Sequence, residues 1–390
     1  MKDRTWPQHR SGLSLGALLL SVVLVSTAAA TPREQAKLMH DRLAGVPPSE
    51  DVLIAMEQAI GMNDFHDAAF IAMDNPNFYS VTLKNFAAPW TNREQSVFVP
   101  LNDYIATVVG MIRDDVPVNT LLSADIIYIG AGNLGLPAYS NANNNHYAQM
   151  EQQGIDLMTG LVQSPQSAVT GLPPAATAGI MTTRAAAEAF FVAGTNRAMF
   201  RFTLLNHMCN DLEQVQDVTL PPDRIRQDVA RSPGGDSRLF LNNCIGCHTG
   251  MDPMAQAFAY YNFNPETGSI EYTPGQVQPK YFNNDANFPF GFVTPDDSWE
   301  NYWRMGQNRF LGWDQSLPGS GNGAKSLGEE LGNSAAFASC QVRKVFRAVC
   351  LRAPENADDR TAVDQMITSF TSGYNMKQTF ADAAVHCMGQ

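Results

Sequence analysis

Apolar residues recur at three- and four-residue intervals along most of the chain, the spacing that predicts amphipathic helices. Residues 33–44 are helix-forming and stop at Gly45. Pro47-Pro48-Ser49-Glu50-Asp51 then starts a second helix, with Val52, Leu53, Met56, Ala59 and Ile60 on its apolar face. A third runs from Phe65 to Met73 and ends at Asn75-Pro76. Leu101, Tyr104, Ile105, Val108, Val109 and Ile112 mark a fourth, beginning near Asn102. Residues 130–147, Gly-rich and then Asn141-Ala-Asn-Asn-Asn-His146, have little period and read as a long surface loop. Helical spacing resumes over 148–162, and Pro165 to Pro174 reads as a linker.

Arg184 to Phe191 and Arg197 to Cys209 follow as two more helices. The second turns Phe200, Leu204, Leu205 and Met208 inward, with His207 bordering that face. A basic, proline-bounded passage spans Pro221 to Pro233. Gly234-Gly235-Asp236-Ser237 then supplies a turn and an N-cap for a short helix through Leu239, Phe240 and Cys247, expected to break at Met251-Asp252-Pro253. Residues 264–295 read as an irregular wrap with room for a short hairpin. Beyond it, Thr294-Pro-Asp-Asp297 reads as a helix start, Gly319 to Gly323 as a flexible joint, and Ser326-Leu-Gly-Glu329 as a capping box. Val342, Val345, Phe346 and Val349 form a core stripe with Arg343, Lys344 and Arg347 opposite. Two closing helices carry Val363, Met366, Ile367 and Phe370, then Met376, Phe380, Ala384 and Cys387.

Composition narrows the compartment. Residues Met1 to Arg10 carry Lys2, Arg4 and Arg10 against Asp3, Leu13 to Val25 are apolar, and Ala28-Ala29-Ala30 offers small residues for cleavage, the three parts of a secretory signal. No later stretch is long and apolar enough to span a bilayer. The expected location is therefore outside the cytoplasm, in the periplasm or on the outer surface of a Gram-negative bacterium. The net charge of −12, less the +2 of residues 1–30, leaves −14 on the remainder. Such a surface repels phosphate backbones, so nucleic acid is not an expected partner, and basic partners are favoured.

Against that background one short stretch carries chemistry. Cys244-Ile-Gly-Cys-His248 has two thiols one helical turn apart followed at once by an imidazole, the attachment pattern of c-type haem. Each thiol can reach one vinyl group of a single porphyrin, and His248 can then serve as an axial ligand. Six cysteines and seven histidines in 390 residues would produce the pattern by chance about 0.002 times per chain, so it is specific. Zinc would need a second close-set pair of ligands, which Cys209, Cys340, Cys350 and Cys387 do not form; a thioredoxin-like pair would need a βαβ setting. Gly246 reads as clearance for the macrocycle edge. A carbonyl in Thr249 to Pro253 is expected to accept the His248 ring N–H, with Met251 and Pro253 on the proximal side.

The other four cysteines are expected in disulfides. Cys340 and Cys350 share a helix, roughly 15 Å apart at its rise per residue, which excludes that pair. Cys387 is then the partner of one and Cys209 of the other.

The run Cys244-Ile-Gly-Cys-His248-Thr-Gly-Met251-Asp252-Pro253, followed by Phe258-Ala259, resembles the haem segment of exported bacterial c-type cytochromes of the planctomycete-type group. Leu43-Ala-Gly-Val-Pro-Pro48, Ala178-Gly-Ile-Met-Thr-Thr183 and Phe337-Ala-Ser-Cys340 are similar to stretches of the same group. The resemblance implies an exported monohaem protein with a helical body and brings no substrate.

The expected fold is mostly α: a multi-helix body, a cytochrome c-like haem segment with an irregular loop wrap, and a C-terminal helical bundle. Its segments are a signal peptide at 1–30, an N-terminal helical region at 31–235, a haem segment at 236–300 and a C-terminal region at 301–390 that completes the cytochrome domain. The expected function is transfer of single electrons through one covalent haem c to and from a redox partner with a basic surface. The alternatives are a peroxidase-like haem enzyme with an open distal site and a surface or assembly scaffold with structural haem. Cys244 and Cys247 hold the haem, His248 is the proximal iron ligand, and His207 or, instead, Met305 is the distal candidate.

Overall fold

The computed structural model describes residues 30–192, 194–281 and 284–388. The expected signal segment lies outside them except for Ala30. Helix α1 (Pro32–Ala44) starts on a Thr31–Glu34 capping box and stops where Gly45 turns left-handed at φ 72°. Helices α2 (Glu50–Gly61) and α3 (Phe65–Met73) are capped by the Ser49 and Asp64 side chains. The three pack on one another, as their apolar spacing predicts. A wide π-helical turn, Phe78–Leu83, leads through short helical turns to Trp90.

Helix α4 (Asp103–Arg113) is buried at every position from Asp103 to Ile112 and lies at the centre of the body. Its Gly110 is needed: a Cβ there would fall 2.1 Å from the Tyr128 ring. Tyr128 belongs to β1 (Ile127–Gly130), which pairs antiparallel with β2 (Leu161–Ser164) in the register Ile127↔Ser164 to Gly130↔Leu161.

The loop expected over 130–147 is therefore shortened, and the helix expected over 148–162 is split into Asn145–Gln152 and a turn at Leu157–Gly160 before β2. Helix α5 (Asn145–Gln152) occupies the middle and a strand closes the segment. His146 anchors it, accepting the Gly130 N–H at Nε2 (2.8 Å) and donating from Nδ1 to the Pro137 carbonyl (2.6 Å). The expected linker after β2 holds a short helix, Gln166–Thr170.

Helices α6 (Arg184–Phe190) and α7 (Arg197–Met208) fall where the sequence places them. A short turn at Ser237–Leu239, capped by Asp236, runs through a π-helical turn at Phe240–Cys244 into α8 (Ile245–Ala255). The break expected at Met251–Pro253 does not occur. Pro253 lies inside α8, where its nitrogen cannot donate to the Thr249 carbonyl and its ring crowds that group, yet the helix continues to Ala255. The hairpin in the following wrap is real: β3 (Tyr261–Asn264) pairs with β4 (Ser269–Tyr272).

Thr294–Asp297 does not start a helix. Asp296 caps the Ser298 N–H at 2.8 Å and leads into β5 (Ser298–Glu300), which pairs with β6 (Ser320–Asn322). The expected glycine joint is thus a strand, and Ser326 lies inside α9 (Gly323–Gly332), where its hydroxyl donates to the Asn322 carbonyl at 2.7 Å.

Helices α10 (Ala335–Cys350), α11 (Ala357–Gly373) and α12 (Met376–Cys387) form the C-terminal bundle, and α12 returns to pack on α1 and α3. Disulfides join Cys209 to Cys340 and Cys350 to Cys387. One connected core includes Met39, Ile105, Phe258, Val345 and Phe380, so the three expected regions share a single interior. Among the described residues no helix is long and apolar enough to cross a membrane.

Candidate functional site

Helix α8 packs its small residues inward and leaves its thiols at the edge of the body. Gly250 lies against Trp303, whose Nε1 would be 1.9 Å from an added Cβ. Gly246 faces the 216–218 segment, with Gln216 Cβ 3.2 Å and Val218 Cγ1 3.3 Å from such an atom, so its clearance serves that chain crossing and not a macrocycle edge as expected. The Gly246 carbonyl accepts the Asp217 N–H at 2.8 Å and fixes the crossing. Cys244 and Cys247 are half-buried. Among the described residues they are the cysteines outside disulfides.

The turn before the motif shapes its approach. A π-helical turn holds one more residue than an α-turn and rotates what precedes it. Phe240 is thereby buried with Ile225 and Val229, and Cys244 and Ile245 pack against that cluster. Leu241, one turn before Cys244, remains 54% exposed. The Cys247 thiol donates to the Leu212 carbonyl at 3.5 Å; burial, with the nearby Glu213 and Asp211 carboxylates, pushes its pKa up.

His248 is oriented by a side chain that the sequence reading did not single out. Its Nδ1 lies 3.1 Å from Oδ1 of Asp252, one helical turn on, where a backbone carbonyl was expected. Burial opposes the Asp252 charge, yet Arg197, then Arg226 and His248, hold its carboxyl well below the usual carboxylate range. An ionised carboxylate only accepts, so Nδ1 carries a proton, and in the neutral ring the lone pair then belongs to Nε2. Among the described residues Nε2 has no hydrogen-bond partner.

Asp252 itself is gripped from α7. Arg197 donates from Nε to Oδ1 (2.7 Å) and from Nη2 to Oδ2 (2.9 Å), and also pairs with Asp228 at 2.8 and 3.0 Å. The Arg226 guanidinium lies over the Tyr281 ring with Nη2 3.7 Å from Asp252 Oδ1, and none of its nitrogens makes a hydrogen bond.

The remaining expected site residues scatter. Met251 is buried in the main core, one turn beyond Cys247 and His248. Pro253 is buried within α8, five residues after His248. His207 is 1% exposed, with its ring among Trp90, Tyr104 and Phe337 and its Nε2 2.8 Å from the Tyr104 hydroxyl. Met305 is 48% exposed and precedes Gly306, which abuts Asp217 on the Gly246 side of α8. The helix that carries His207 packs on α8.

The donor set fits a covalently held haem: two unpaired thiols a turn apart, an adjacent imidazole in the metal-binding tautomer, and apolar residues beside them. Among the described residues no group of three or more His, Cys, Asp or Glu is placed to hold a bare metal ion. No family model, curated protein or solved structure matches this chain.

Proposed function

We propose that this chain is an exported monohaem c-type cytochrome that passes single electrons, with Cys244 and Cys247 bonded to the porphyrin and His248 bound to its iron. The observation that carries the reading is the His248 ring, its Nδ1 held by Asp252 and its Nε2 lone pair left for a metal, directly beside two thiols outside any disulfide. Bound there, the haem would supply an iron that cycles between ferric and ferrous by one electron. Ile225, Val229 and Phe240 form an apolar wall beside Cys244, and a dry wall raises the weight of every nearby charge on that equilibrium. The electron is supplied by a reduced protein and passed to an oxidised one. The chain's net charge of −12 favours partners with a basic contact surface. The motif's resemblance to exported bacterial cytochromes agrees with this reading.

A second reading is favoured by one observation: the His207 ring is enclosed by Trp90, Tyr104 and Phe337, with its Nε2 engaged by the Tyr104 hydroxyl. An exchangeable sixth position would admit peroxide or another small ligand and make the protein a haem enzyme.

Expression with a cytochrome c maturation system tests the first point. The mature chain should gain the mass of one haem and keep it through acid–acetone extraction, and replacing Cys244 and Cys247 by alanine should abolish retention. A haem-free wild-type product would overturn the proposal. Carbon monoxide separates the two readings: an unchanged reduced spectrum supports the carrier, and a shifted one supports the enzyme.

A further inference from the structure

We propose that Asp252 is a positioning residue that sets the iron's reduction potential through His248, and that Arg226 tempers its effect. This rests on the haem reading above and adds to it the device by which the chain tunes the group.

The acceptor of the His248 ring N–H is a carboxylate. A ring N–H that donates to a carbonyl keeps its proton, whereas one that donates to an ionised carboxylate shares it further and makes the opposite nitrogen a stronger donor. A stronger donor favours ferric over ferrous iron and lowers the potential. Here Nδ1 of His248 is 3.1 Å from a carboxylate whose side chain is fully buried, so water does not dilute the interaction.

The second step is that this carboxylate is shared. Arg197 donates one hydrogen bond to each of its oxygens and so draws electron density away from the histidine. Arg226 acts differently. It is 3% exposed, its guanidinium makes no hydrogen bond, and its Nη2 stands 3.7 Å from the oxygen that His248 uses. Its influence on the Asp252–His248 pair is therefore that of a buried positive charge. The element that carries it, the 221–233 passage, is also the one that supplies Ile225 and Val229 to the wall beside Cys244. One segment thus provides both the apolar cover and the opposing charge.

Opposite signs make the inference testable. Asp252→Asn keeps the shape and an acceptor oxygen but removes the charge, and should raise the potential. Arg226→Met keeps volume, breaks no hydrogen bond, and should lower it. Each should change the reduction equilibrium constant at least tenfold, 59 mV for one electron. A pocket merely loosened by substitution would move both variants the same way.

Haem-loaded wild type and both variants are first checked by mass, then titrated potentiometrically, and the paramagnetically shifted ring resonances of His248 are recorded by NMR in the ferric state. Potentials displaced in opposite directions, together with a shifted His248 signal in Asp252→Asn, support the inference. Equal or same-direction displacement, or unchanged His248 resonances, overturns it while leaving the haem reading intact. Wild-type protein without covalent haem overturns both. Should Asp252→Asn fail to fold, the sign of the Arg226→Met displacement decides alone.

Discussion

His207 shows how a single residue type can suggest a ligand and serve as packing. The imidazole is enclosed by aromatic rings and hydrogen-bonded to Tyr104; burial, then the Lys344 charge, lowers its pKa well below the ordinary value, so it stays neutral. Replacing it by alanine removes packing volume and strands a buried tyrosine hydroxyl, which should cost about 2–5 kcal/mol of stability in denaturant melts. The same variant should leave haem content and the carbon monoxide response as in wild type. A new carbon monoxide-binding state in His207→Ala would instead identify it as the displaced iron ligand.

Sequence alone exposed Cys244, Cys247 and His248 because the motif is contiguous. It concealed Asp252 for a local reason: Pro253 argued that the helix had already ended, and without a helix the fourth residue after His248 has no claim to face it. Arg197 and Arg226 reach the same carboxylate from 55 and 26 residues away in the chain, a convergence that no local pattern encodes.

At the level of elements, long amphipathic helices were legible and short extended pieces were not. Helices α1 to α3 and α10 to α12 bury broad stripes whose period survives in the sequence, whereas β1, β2, β5 and β6 have three or four residues each, too few to show alternation. Side-chain caps misled in two places: the Asp296 turn leads into a strand with the same residue types that would open a helix, and Ser326 lies inside α9 where a capping box was expected. Lys344, assigned to the solvent face of α10, instead lies over the Trp90 ring at 3.6 Å from its centroid.

The junction of α10, α11 and α12 depends on one buried carboxylate. Asp359 accepts from Arg352, from His386 on α12 and from the Glu355 N–H, and Arg352, then His386, hold its carboxyl well below the usual range despite burial. In the unfolded chain the group titrates near an ordinary aspartate pKa of about 3.9. The folded form is thus the weaker proton binder, and its stabilisation is complete above about pH 4 and lost as pH falls below that. Unfolding followed against pH should therefore show less acid sensitivity in Asp359→Asn than in wild type, together with a lower plateau near neutrality. Parallel curves at all pH values would remove Asp359 from the acid transition.

For the whole molecule, the two disulfides differ chiefly in how much chain they close. Cys209–Cys340 spans 131 residues and Cys350–Cys387 spans 37. Loop-closure entropy assigns them roughly 5 and 4 kcal/mol, so removing the first by paired serine substitution should destabilise the protein by about 1 kcal/mol more than removing the second. Chemical denaturation of the two paired variants measures that difference. A larger loss from the Cys350–Cys387 pair would mean that strain or residual denatured-state structure outweighs chain entropy.

The wider span also bears on proteolysis. The Cys244–His248 motif lies inside the stretch closed by Cys209–Cys340, in which the side chains of Phe290 and Phe310 stand 88% and 64% exposed. A protease that cuts once at such a point produces two polypeptides that remain one molecule until a reductant is added. Gel mobility without reductant would therefore register an intact protein, and the nick would become visible only after reduction, with the piece bearing the motif released as a separate band.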